Sequence, residues 1–329
     1  MSREEDATKA SLTDPKSRIM KTRTGFTQGY NLQLLANWTP QMQYTDKDGM
    51  VVTIYSPNER AGGFVSSACL AVKEIIIGRH LIWSLFVRDF NAQFRQKALG
   101  YLWAVLGPIL GMFSFIFMNY AGILSPGKTD IPYPLYVLVG TTIWGYLVVP
   151  STSLAGGLAS QGDLILRTNV PKFALVMTSL TAVFYGVCVN IVVLSLILVV
   201  FQQGLSWWAL AYPLLILPMI FLGVGVGLIS SVMSVIARDL SAIISQALNL
   251  AMYVTPVVYV GSTVNQPLLR KVIALNPLSY LIDVPRSLIF QGHSPYVLEY
   301  VLASLMSLAV LLVGIRVFYL IQDLVAERL

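Results

Sequence analysis

Residues 173–237 read FALVMTSLTAVFYGVCVNIVVLSLILVVFQQGLSWWALAYPLLILPMIFLGVGVGLISSVMSVIA, without one Asp, Glu, Lys or Arg. A helix needs about 20 apolar residues to cross a hydrocarbon core about 30 Å thick, so this run has room for two crossings. Gln202-Gln203-Gly204 is its only strong polar break and supplies the turn between them. The same reading extends outward. Residues 98–127, 131–162 and 240–269 are uncharged too, and 298–320 is a further apolar helix. It keeps Glu299 at one end and Arg316 near the other, where both can snorkel to the interface. Six spans are expected, over 101–122, 134–155, 177–200, 207–235, 241–261 and 298–320. The fold class is all-α integral membrane.

Composition agrees. Of 329 residues, 56% are hydrophobic and 12% charged, about half the charged share of a globular domain. Mean hydropathy is +0.69. A soluble enzyme is excluded. The formal net charge of +6 is a topology signal rather than a sign of nucleic-acid binding. Six spans put both termini on one side, with Arg88, Arg95, Lys97, Arg167, Lys172, Arg238, Arg316 and Arg328 in its flanks. The opposite side holds Lys128, Arg270, Lys271 and Arg286. Positive residues collect inside, so both termini are expected in the cytoplasm of a multi-pass protein of the cytoplasmic (inner) membrane.

Residues 1–66 read as a cytoplasmic extension with a disordered start and a short strand near 50–55. No signal peptide is expected, because Met1-Ser2-Arg3-Glu4-Glu5-Asp6 is polar and acidic. Residues 70–98 form an amphipathic helix. Ile82, Phe86, Phe90 and Phe94 recur every four positions, with Arg88, Asn91 and Arg95 on the other face, the pattern of a helix lying in the membrane interface. The plainer alternative is a helix packed on a soluble domain. Residues 99–322 are the six-span domain and 323–329 a cytoplasmic tail. Between spans five and six, 262–297 is apolar but cut by Pro267, Asn276-Pro277, Pro285-Arg286 and Gly292. Pieces that short cannot cross, so re-entrant helices dipping from the outer face are expected.

Chemistry is poorly supplied. Cys69, Cys188, His80 and His293 have no metal-ligand spacing, so no metal, catalytic site or cofactor is expected on this chain. Gly122-Ile123-Leu124-Ser125-Pro126-Gly127-Lys128-Thr129 matches a phosphate-binding loop. That mechanism needs a strand before and a helix after, whereas a span precedes this run and prolines follow, so nucleotide binding is rejected. Gly107-x-x-x-Gly111 and Gly223-x-x-x-Gly227 mark close helix approach. Ion-coupled carriers keep charge at membrane depth, and the first five spans have none. Driving energy must come from elsewhere, or the protein is passive. Tyr101, Trp103, Phe113, Phe117 and Tyr120 in the first span, with Tyr253 and Tyr259 near the fifth, read either as lipid-facing aromatics or as a pathway of flat rings on which sugars slide. Arg88 and Arg95 suit an anionic phosphate head, or only anionic lipid.

Phe86-Val87-Arg88-Asp89-Phe90, Phe94-Arg95-Gln96-Lys97 and Leu99-Gly100-Tyr101-Leu102-Trp103-Ala104 with Pro108 resemble the start of polysaccharide-exporting ABC transporter permeases. Tyr133-Pro134-Leu135 with Gly140 and Trp144, Asp163-Leu164-Ile165 with Pro171-Lys172, Thr255-Pro256-Val257, and Leu275-Asn276-Pro277-Leu278 with Arg286 continue the order. Phe94 stands where tyrosine is common. The resemblance covers 70–322 and implies a homodimer with two separate ATP-binding subunits, which would hold ATP and Mg. It implies a polyprenyl-diphosphate-linked polysaccharide such as O antigen as substrate, met by the interface helix. Asp163, Leu164, Ile165 and Arg167 would couple to the ATPase, and the segment with Leu275, Asn276, Pro277 and Arg286 would gate the outer exit. The rival readings are a same-fold permease for a lipid or drug, a membrane-embedded polyprenyl-lipid transferase, and a passive channel.

Overall fold

The computed structural model describes residues 18–22, 42–45, 51–55, 63–95, 102–160, 172–237 and 239–325. The chain divides into two units, Met1–Ser67 and Ala68–Leu329. The first contains a three-stranded antiparallel sheet, β1 (Arg18–Thr22), β2 (Met42–Thr45) and β3 (Val51–Tyr55), in the order β1-β3-β2. The centre strand is the β-branched run Val-Val-Thr-Ile-Tyr, in the stretch read as a strand, and Ile54 pairs with both Ile19 and Met42.

The second unit is helical. Its elements are α1 (Phe64–Arg95), α2 (Leu102–Tyr120), α3 (Tyr133–Ser160), α4 (Lys172–Met177), α5 (Thr181–Phe201), α6 (Tyr212–Leu215), α7 (Leu217–Ile236), α8 (Asp239–Val254), α9 (Pro267–Leu275), α10 (Pro277–Gln291) and α11 (Val297–Val325). Among the described residues, four helical runs are long and apolar enough to cross a membrane: Tyr133–Gly157, Phe173–Phe201, Trp207–Ser234 and Val297–Ile321. This is a helical integral membrane protein. Helices also form where the first and fifth spans are expected, but α2 has 19 residues and α8 only 16, about 28 and 24 Å at 1.5 Å per residue. The fifth span, expected to reach 261, stops at Val254. Pro256 has no N–H for the helix and its ring disfavours helical geometry at Thr255.

Contacts sort the helix ends into two groups. At one end Val260 N–H donates to Pro126 O at 2.9 Å, Ser206 N–H to Ile289 O at 2.8 Å, Gln291 Nε2 to Asp130 at 2.7 Å, and Tyr300 Oη to Leu215 O at 2.8 Å. At the other, Ser234 Oγ donates to Ala155 O at 2.7 Å, and Phe173 meets Phe318 and Tyr319 at ring separations of 5.4 and 5.5 Å. The helical runs α2, α3, α4 with α5, α6 with α7, α8 and then α11 therefore alternate in direction, while α9 and α10 stay at the first end.

Glycine sets the core spacing. A Cβ on Gly223 would meet Pro150 and the carbonyls of Tyr146 and Leu147, and one on Gly227 would lie 2.7 Å from Pro150 O. On another side of α7, a Cβ on Gly225 would come 2.8 Å from Leu311 N. The α7 backbone thus touches α3 and α11 directly, which is how membrane helices gain dispersion energy where lipid tails are as apolar as leucine. Ser151 Oγ reaches both Leu147 O (2.7 Å) and Gly223 O (3.1 Å) across the α3–α7 contact. The identical spacing at Gly107 and Gly111 differs: nothing lies within 4 Å of either added Cβ.

Candidate functional site

Two stretches of sequence far apart meet at the end that holds α9 and α10. One is the face of α3 carrying Tyr133, Tyr136, Gly140 and Trp144; the other runs from Thr255 past α8 into α10. After Val254 the chain leaves the helix, and its carbonyls need partners. Tyr136 Oη donates to Tyr259 O at 3.0 Å. Tyr259 in turn curls back, its hydroxyl within 3.1 Å of Tyr253 O and 3.2 Å of Val254 O, covering the last turn of α8. Val257 and Val258 are buried in the main core.

The paired helices α9 and α10 form for local reasons. Pro267 opens α9 and Pro277 opens α10, at the first helical position where a missing N–H costs nothing. Asn276 caps α10, its Oδ1 accepting from Leu278 N at 3.0 Å. Ser279 Oγ and Tyr280 Oη donate back to Ile273 O (2.9 Å) and Ala274 O (2.6 Å), satisfying the end of α9. Gly292, at φ 79°, ends α10. The other amide atom of Asn276, Nδ2, donates to Thr255 Oγ1 at 3.0 Å and ties the pair to the end of α8.

Arg286 lies at the centre, 5% exposed. Its Nη2 donates to Val257 O at 2.9 Å, its Nη1 reaches Asp283 at 3.3 Å, and its guanidinium carbon stands 3.7 Å from the centre of the Tyr136 ring. A buried cation needs a counter-charge, a hydrogen bond or a ring face, and Arg286 has all three. Burial pushes the Asp283 carboxyl up to about 6, and the Arg286 charge pulls against that rise.

The expected site residues fall in three groups. Asn276, Pro277 and Arg286 converge in this cluster, while Leu275 is exposed at the tip of α9. The aromatic set does not converge: Phe113, Phe117 and Tyr120 are 58%, 68% and 90% exposed on α2, Tyr253 is exposed on α8, and Tyr259 is the cover just described. Arg88 is exposed and paired with Asp89 at 2.8 Å. Tyr101, Asp163, Leu164, Ile165 and Arg167, and the side chains of Arg95 and Trp103, lie outside the described residues.

In α1, expected to lie in the membrane interface, the aromatic stripe is not wholly free. It is taken up partly by protein: Phe86 meets Phe184 edge-on at 6.1 Å and Phe90 meets Tyr185 at 5.3 Å, while Gly78 lets α1 close onto Ala174. Ile76, Trp83 and Val87 remain exposed. The residues that sequence reasoning missed are Tyr136, Gly140 and Val257 as the seat of Arg286. Gly140 and Val257 stand inside matched motifs; Tyr136 is one residue beyond its motif. Gly122–Thr129 runs as an irregular loop between α2 and α3, with none of the strand–helix context of a phosphate site.

No family model matches the chain. It is similar to an O-antigen export system permease protein RfbA of Myxococcus xanthus, 28% identical over 232 residues, covering 68% of this chain and 85% of that protein. A Klebsiella pneumoniae protein of the same name is 24% identical over 247 residues, 74% of this chain and 92% of that one. The polysialic acid transport protein KpsM of Escherichia coli is 22% identical over 245 residues, 71% and 91% of the two. Fold and site thus define a multi-pass membrane protein, and among the described residues no three or more His, Cys, Asp or Glu gather where they could hold a metal ion. The comparisons bear out the resemblance of this chain to polysaccharide-exporting ABC transporter permeases.

Proposed function

We propose that the chain is the membrane-spanning subunit of an ATP-driven exporter, moving a polysaccharide carried on polyprenyl diphosphate from the cytoplasm across the inner membrane. The likeness to named export permeases over about two thirds of the chain carries this reading. It is supported by a bundle in which, among the described residues, charged side chains stay toward the two ends of the long apolar helices, where ion coupling at membrane depth has no group to use.

The working unit is two copies of this chain and two ATP-binding subunits, which carry ATP and Mg; this chain contributes no catalysis. Six crossings place both termini in the cytoplasm, and the alternation of helix directions supports that count, α2 and α8 crossing a core thinned to fit them. The segment with Asp163, Leu164, Ile165 and Arg167 receives the ATPase stroke. Arg88 and Arg95 meet the diphosphate head at the cytoplasmic leaflet, Asp89 steadying the first of them. The α9–α10 pair dips in from the outer face and gates the exit. The polymer slides past Phe113, Phe117 and Tyr120, which α2 leaves uncovered in the single chain.

Deleting the chain from a host that makes such a polymer tests the proposal. Lipid-linked polysaccharide should still be made, remain inside the cell and disappear from the surface. Unchanged surface polysaccharide would contradict it. A defect confined to a lipid or drug would favour the rival permease, and a failure to synthesise the polymer would favour the transferase.

A further inference from the structure

We propose that Arg286, seated in the slot left by Gly140, pins α10 to the end of α8, so that these two elements move as one body against α3. The observations lie on both sides of the pin. Arg286 Nη2 holds Val257 O at 2.9 Å, just past the break that ends α8, and Asn276 Nδ2 holds Thr255 Oγ1 at 3.0 Å two residues earlier. Two side chains of the α9–α10 pair therefore grip the same short non-helical stretch, one at each edge of Pro256. Toward α3 the contact is of another kind. The Arg286 guanidinium carbon stands 3.7 Å from the centre of the Tyr136 ring, a contact that tolerates sliding because a ring face, unlike a carbonyl lone pair, imposes little direction on a cation. The directional bond that α3 does make to this stretch, Tyr136 Oη to Tyr259 O at 3.0 Å, lies beyond both grips and is the one that must break when the pinned pair moves.

Gly140 makes the seat possible. A Cβ there would stand 2.6 Å from Arg286 Nη2 and would collide outright with the Val257 carbonyl oxygen. Both atoms are backbone or buried charge with nowhere to go, so even alanine must push the pin and its partner out together. Gly140 is thus a positioning residue that acts through Arg286 and Val257. Any displacement of α8 passes to α10 through Arg286 and Asn276 without passing through α3. That this displacement opens an exit rests on the permease reading; the joint itself does not.

Amide hydrogen exchange on the full chain in nanodiscs reads the joint directly. Arg286→Met should speed exchange in residues 255–260 and in α10 together, by about tenfold or more, with α7 and α11 unchanged. Gly140→Ala should give the same paired rise, and the double variant should add little to either. Arg286→Lys, keeping a cation and one donor, should fall between. A rise in α10 alone, or effects of the two substitutions that simply add, overturns the proposal. If Arg286→Met loosens α7 and α11 as well, Arg286→Lys decides by the same criterion. Normal joint behaviour without export would sink the function and spare the joint.

Discussion

The Arg286 guanidinium lies 3.7 Å from the centre of the Tyr136 ring, with Val257 O on one of its nitrogens and Asp283 near another. A cation buried this deeply in a membrane protein would be costly alone; here ring, carbonyl and carboxylate share the load. The stack should therefore be measurable in itself. In a double-mutant cycle of Tyr136→Leu with Arg286→Met, followed by unfolding of the purified chain, the coupling should be about 1–2 kcal/mol. The stranded Asp283 appears in both arms containing Arg286→Met and cancels. Zero coupling would mean that the ring only fills space.

Two pairs of glycines with one spacing should behave differently. Gly227→Ala, with Pro150 O of α3 at 2.7 Å, should lower the melting temperature or abolish folded protein, because α7 and α3 must separate. Gly107→Ala, with nothing within 4 Å, should leave the isolated chain's stability within about 0.5 kcal/mol of its original value. Equal effects would contradict the packing described for α7.

That contrast also shows what the sequence could and could not say. The helices at 134–155, 177–200, 207–235 and 298–320 were legible because a bilayer forbids charge over a fixed length, and charge is visible in sequence. The early end of α8 was legible in principle, since Thr255-Pro256 is a helix stop that the apolar run around it obscured. Burial partners were not legible. Nothing in Gly107-x-x-x-Gly111 distinguishes it from Gly223-x-x-x-Gly227; only the fold puts Pro150 and Leu154 beside the second. Phe86 and Phe90 are as suited to lipid as to the rings of Phe184 and Tyr185. The seat of Arg286 joins residues from α3, α10 and the stretch after α8, and such a meeting leaves no periodic trace.

Leu164→Asp or Ile165→Asp should uncouple ATP hydrolysis from export. An apolar strip that seats in the ATPase cannot accept a carboxylate without losing that contact. The complex should still purify with its basal ATPase activity, while exported polymer falls at least about tenfold, the scale of a lost contact of 1.4 kcal/mol or more. Normal export in both variants would remove the coupling role of this segment.

Single cysteines at 113, 117 and 120, in a background lacking Cys69 and Cys188, test the sliding surface. These positions are the exposed face of α2 in the single chain, which suits lipid, a second copy or a pathway. Water-soluble thiol reagents should label them in at least one nucleotide state of the assembled complex. Labelling only by membrane-dissolved reagents in every state would place them against the bilayer and end the channel role.

The role proposed for this chain is that of a conduit for a lipid-linked polysaccharide. Its most direct test is reconstitution of the purified chain with its ATP-binding partner in vesicles that carry a labelled polyprenyl-diphosphate-linked polymer on the leaflet facing the ATPase. With ATP, the polymer should become shielded from a glycosidase added on the ATPase side and reach a lectin trapped within. Vesicles given a non-hydrolysable nucleotide, or lacking this chain, should show neither change. Transfer without the chain, or ATP hydrolysis with the complete complex and no transfer of any such polymer, would contradict the account.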